Sequence, residues 1–105
     1  MLLLEDYHES EQRDIERAKE LIKGDKIYDL AGMHIGVDEL QTAFYLAGWN
    51  KGSIGEEDGS WYRNVASTAA GYIAELEVES ETGSVWTIVV DGIAGAMVRA
   101  IERRG

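Results

Sequence analysis

The chain contains no cysteine and no proline, two histidines, one phenylalanine and half as many bases as acids. Without cysteine it has no disulfide, no thiolate-held zinc or iron–sulfur site and no thiol nucleophile. Without proline, its twelve glycines do the punctuating. No apolar run approaches the roughly 20 residues of a membrane-spanning helix. The start, MLLLEDYHES, turns acidic where a secretory signal has a basic start and a longer apolar stretch. A soluble, cytoplasmic protein is expected.

Other absences narrow the chemistry. No serine stands in a G-x-S-x-G setting. His8 lies among acids and His34 in an apolar link, and each reads as a surface or packed histidine. His8, Glu9, Glu11 and Asp14 offer hard-cation ligands, but the spacing matches no dedicated metal site. DKIYDLAGMHIG and the 48–60 loop depart from the EF-hand pattern at several positions. GWNKGSIG lacks the spacing of a phosphate-binding loop. No catalytic residue, cofactor or metal is therefore assigned, and the expectation is a protein that is not an enzyme.

What is present is acid. The net charge is −10, from 20 acids and 10 bases in 105 residues. Residues 31–90 hold Asp38, Glu39, Glu56, Glu57, Asp58, Glu75, Glu77, Glu79 and Glu81 against Lys51 and Arg63 alone. Such a field repels nucleic acid and anionic membrane and steers the protein towards a basic partner. A 37–47 helix without a base also disqualifies the first two helices as a DNA-reading pair. With 45% hydrophobic residues, the chain has enough apolar side chains for one compact domain spanning 1–105.

The periodicity predicts an α+β fold: N-terminal helices over about 9–23 and 37–47, a β-hairpin over 72–91, a third strand over about 61–68, and a C-terminal helix over about 93–103 packed on the small antiparallel sheet. Ile15, Ala18, Leu21 and Ile22 form the first helical stripe, with Ser10 as N-cap and Gly24 as stop. Leu40, Ala43, Phe44 and Ala47 form the second, stopped by Gly48. Ile93, Met97, Ala100 and Ile101 form the third, capped by Asp91. The link 25–36 is read as a short helical turn or an extended connection, and 48–60 as a loop.

The hairpin register can be derived. A two-residue loop at Thr82 and Gly83 pairs Glu77 with Ile88 and Glu79 with Trp86, mixing acids with large apolar groups. A three-residue loop of Glu81, Thr82 and Gly83 pairs Val78 with Trp86, Leu76 with Ile88 and Ala74 with Val90. That face is wholly apolar, and Gly83 takes the left-handed position. Glu75, Glu77 and Glu79 then form a row on the other face.

Strands disfavour glutamate, and three in a row repel one another. A merely solvated face has no need of them, so the row is expected to contact a partner, together with the Glu56, Glu57, Asp58 loop. Its charges stand about 6.6–6.8 Å apart, about half the linear density of one DNA strand. Trp49 and Trp61, flanking the loop, are further candidate anchors, or else pin the loop ends to the core.

The function expected is a small acidic inhibitor or modulator. It would occupy a basic, nucleic-acid-binding surface of a partner protein without touching nucleic acid or membrane itself. Proteins with which mobile elements and phages block nucleases or CRISPR complexes are similar in size and charge, without a shared motif. The alternatives are a structural subunit that forms a homodimer or larger homo-oligomer, and a small enzyme or divalent-metal-binding protein.

Overall fold

A computed structural model describes residues 4–52, 59–92 and 95–105. Two helices, α1 (Glu9–Lys23) and α2 (Val37–Leu46), precede five antiparallel strands: β1 (Asn50–Lys51), β2 (Tyr62–Thr68), β3 (Gly71–Glu79), β4 (Val85–Asp91) and β5 (Met97–Arg103). The strand order is β1-β3-β4-β5, and β2 pairs with the same side of β3 as β1 does. The class is α+β.

Helix α1 begins one turn past a short 3-10 segment, Leu4–Asp6. Its N-cap is His8, not Ser10. The Glu11 carboxylate accepts from the His8 amide at 3.1 Å, and Glu9 and Glu11 suit the positive end of the dipole. Gly24 closes the helix, and Asp25 follows in the left-handed region at φ 58°. The link contains a 3-10 turn, Ile27–Leu30, then runs extended beside β5. There Gly32 donates to the Val98 carbonyl at 2.8 Å and Val98 to that of Met33 at 2.9 Å. Helix α2 is capped by Gly36 and Ala47, with Gly48 left-handed at φ 89°.

Both helices cover one face of the sheet. Ile15, Ala18 and Ile22 of α1 and Leu40, Ala43 and Phe44 of α2 meet Ala74, Leu76, Val78, Ile88 and Val90 in one cluster. Each fully buried Leu or Ile stabilises by about 1.5–3 kcal/mol. Tyr7 bonds the Thr42 hydroxyl at 3.1 Å and so ties the N-terminal turn to α2.

The hairpin register is Val78 with Trp86, Leu76 with Ile88 and Ala74 with Val90. Ser80 and Ser84 close its loop, with the Ser80 amide 2.8 Å from the Ser84 carbonyl. Gly83 sits at φ 87°. The three-residue loop places the glutamates as the apolar pairing requires.

The C-terminal helix expected over 93–103 is not formed. Residues Met97–Arg103 are a strand paired antiparallel with β4. Two physical features disguise it. A bulge lies opposite Val89 and Val90, so that Arg99 is the extra residue. The bulge puts Met97 and Ala100 on the outer face and Val98 and Ile101 on the inner face, each pair at a spacing of three, so the expected stripe of Met97, Ala100 and Ile101 divides between the two faces. Gly95, left-handed at φ 103°, terminates rather than continues a helix. The expected cap, Asp91, is instead the last residue of β4 and meets Arg99 at 3.6 Å. Ile93 and Ala94, part of the same expectation, lie outside the described residues. Without β5, the apolar strand β4 would present an unpaired edge. The 48–60 loop also departs from expectation at its start, where Asn50 and Lys51 pair with Glu79 and Val78.

Candidate functional site

The glutamate row sits on the face of the sheet away from the helices, as alternation with buried Leu76 and Val78 demands. It is half-buried, and its members are held. Arg63 of β2, directly across from Glu75, meets its carboxylate at 3.7 Å. Glu77 folds over the backbone at Gly52, where any side chain would collide with the Glu77 methylene and carboxylate. Glu79 pairs with Asn50 on one side and Val85 on the other. The self-repulsion of the row is thus reduced at Glu75, where Arg63 supplies the opposite charge.

The rest of the outer face follows from register. The cross-strand rows run Glu75–Val89–Ala100, Glu77–Thr87–Glu102 and Glu79–Val85. Thr87 is 4% exposed, although it lies on the side without helices. The Arg104 guanidinium reaches across to donate to its hydroxyl at 3.2 Å and meets Glu102 at 3.7 Å. Val85 and Val89 are half-buried between these charged side chains. The face is therefore Val85 and Val89 of β4 on either side of Thr87, bordered by carboxylates from β3 and β5 and by Arg63 and Arg104, rather than a uniform acidic plate.

The tryptophans do not join it. Trp49 packs edge-on against Phe44 with centroids 5.1 Å apart, and Trp61 against Tyr45 at 6.4 Å. Both are half-buried against the core and pin the two ends of the loop to α2. Glu56, Glu57 and Asp58 lie outside the described residues.

The structure pairs carboxyls that lie far apart in sequence. Glu11 of α1 and Glu39 of α2 share a hydrogen bond, which holds Glu11 below the ordinary glutamate range, helped by the His8 amide. Burial pushes Glu39 up, and its contact with Glu11 adds to this. Asp38 beside them accepts from the Tyr62 hydroxyl at 3.0 Å. Burial, then this bond, pushes the Tyr62 phenol up to about 12. No spacing rule could have found Glu11 and Glu39, because the helix packing brings them together. His8 is spent at the start of α1, and His34 is exposed in the link. Among the described residues no three histidine, aspartate or glutamate side chains cluster as a metal site, and no helix is long and apolar enough to cross a membrane.

Compared with known proteins, the chain matches no family model, no curated protein and no solved structure.

Proposed function

We propose that the protein is a non-enzymatic acidic binding protein that docks the outer face of its sheet on a basic surface of a partner protein. The partner surface is one that otherwise holds nucleic acid, so docking inhibits or modulates the partner. Size and charge fit the kind of protein that mobile elements and phages direct at nucleases and CRISPR complexes. The observation that carries the reading is the composition of the outer face. Val85 and Val89 flank Thr87 along its central strand, where a solvated face would carry more polar residues. Glu75, Glu77 and Glu79 line one side of them. An apolar centre with a charged border is the anatomy of a protein interface, and the net charge of −10 selects a basic partner.

The test is a titration against the basic partner recovered by co-purification, across a salt series. Replacing Glu75, Glu77 and Glu79 by Gln together should weaken binding and flatten its salt dependence. Unchanged tight binding by the triple variant would remove the acidic row from the mechanism.

One observation favours a second reading, self-association. Strand β2 is exposed from Arg63 to Thr68, and among the described residues β3 is its one sheet partner. Asn64, Val65, Ala66, Ser67 and Thr68 carry no charge, so a second copy could pair there without electrostatic cost. Sedimentation over a wide concentration range distinguishes the readings, since a persistent monomer rejects this one.

A further inference from the structure

A cleft of about 280 Å³ lies on the helix side of the sheet, between the end of α1 and the β3–β4 loop. It continues into a second cleft of about 310 Å³ that shares Ile22, Asp25, Trp49, Ser80 and Thr82. Three aromatic rings line the first: Tyr28, Trp49 and Trp86. Tyr28 and Trp86 meet edge to face with centroids 5.4 Å apart, yet Tyr28 is 63% exposed. A ring so exposed gains little from packing on its own chain. Asp25 and Glu81 bring carboxylates to the combined groove; its cations are Lys23 beside Asp25 and Arg103, whose guanidinium bonds Ser84 at the far wall. Neither carboxylate has an ion-pair or hydrogen-bond partner among the described residues. Asp25 is held at φ 58°, which fixes its backbone at the mouth of the cleft.

We infer that this cleft binds an arginine side chain presented by a partner polypeptide. Aromatic faces attract a cation through their quadrupoles. Guanidinium is the cation that also stacks flat on a ring and offers several donors at once. Asp25 accepts from it, and the methylene stem lies along Ile27 and Trp49. The far wall is already taken, since Arg103 donates to the Ser84 hydroxyl at 3.1 Å, so the incoming guanidinium lies at the Asp25 end of the cleft. The inference does not depend on the outer face, which lies on the opposite side of the sheet.

The probes are N-acetyl-arginine amide, its lysine counterpart and the neutral isostere N-acetyl-citrulline amide. Binding is followed by the indole N–H resonances of Trp49 and Trp86, with Trp61 as internal control. Arginine amide should shift Trp49 and Trp86 saturably with a Kd on the order of 1 mM. Citrulline amide should bind about tenfold more weakly, and lysine amide between the two. Asp25→Asn keeps the left-handed backbone, which asparagine tolerates, and should cost arginine about tenfold while leaving citrulline unchanged. Tyr28→Ala, at an exposed position, should weaken arginine several-fold. The inference is overturned if arginine amide produces no saturable shift, if citrulline binds equally well, or if Asp25→Asn leaves arginine affinity unchanged. A monosaccharide that shifts these indoles where arginine does not would make the cleft a neutral-ligand site and would equally overturn it.

Discussion

The two faces of the sheet are built from the same strands and behave oppositely. On the inner face, Ala74, Leu76, Val78, Ile88 and Val90 are all at 0% exposure beneath the helices. On the outer face, the alternate residues of β4 are equally apolar at Val85 and Val89, but their neighbours on β3 are carboxylates. β-Branched residues on both faces of a strand usually mark a strand covered on both sides. Here one cover is the pair of helices, and the other is left to side chains: Arg104 laid over Thr87, and Glu77 folded on Gly52. The difference separates what holds the fold together from what is available to a partner.

The largest expected effect breaks the inner face. Leu76→Ala should cost about 3 kcal/mol through lost burial and a residual cavity. It should be read as a lower urea midpoint at unchanged slope. Val89→Ala, the corresponding truncation outside, should cost about 1 kcal/mol or less. Equal losses would mean that the outer face is as closely packed as the inner and is no docking surface.

Next is the tie between sheet and helix. Tyr62→Phe removes the hydrogen bond to Asp38 and should cost about 1 kcal/mol. Because folding raises the Tyr62 phenol from 10.0 to about 12, its contribution is full below pH 10 and is lost as pH rises through about 12. Burial raises Tyr7 and Tyr72 as well, so in a spectrophotometric titration the Tyr62 step near 12 should be identified by its loss in the variant.

A smaller effect lies between the helices. Folding raises Glu39, so its stabilising, protonated form is complete below the ordinary 4.5 and is lost as pH rises through the higher folded value. Glu11, lowered, contributes oppositely: its share is present above 4.5 and disappears as pH falls through its depressed value. Glu39→Gln fixes the neutral form. It should raise stability at neutral pH by about 0.5 kcal/mol, the scale of a partly screened pair. No gain at neutral pH would contradict the carboxyl contact.

The smallest effect on stability, and the most informative contrast, comes from the row. Replacing Glu75, Glu77 and Glu79 by Gln should change stability by no more than about 0.5 kcal/mol, because relieved repulsion offsets the lost Arg63 pair. A large destabilisation would assign the row to the fold instead of to a partner.

The legible parts of this fold were those governed by a single period. Ile15, Ala18 and Ile22 mark α1, Leu40, Ala43 and Phe44 mark α2, and the apolar alternation of β3 and β4 selects one register. Strand β5 was not legible, because the bulge at Arg99 breaks the period of two and leaves Met97, Ala100 and Ile101 at helix-like spacing. Ser10 looked like a cap, but the reach of Glu11 back to the His8 amide sets the cap two residues earlier. For the candidate site, alternation gave the direction of Glu75, Glu77 and Glu79. It could not give their depth, which depends on Arg63 and Gly52 from other strands. The aromatic cleft was less legible still. Tyr28 meets Trp86, and Trp49 lines the same cleft, through packing between the link, the loop and the sheet, and no local pattern records that.

The most direct measurement is the affinity of the wild-type protein and of the Glu75, Glu77, Glu79 triple-Gln variant for the co-purified basic partner, at about 50 and about 200 mM salt. The account predicts that wild-type binding weakens steeply with salt, and that the variant binds more weakly at low salt with a shallower dependence. Equal affinities and equal salt dependence would contradict a carboxylate face that meets a basic surface.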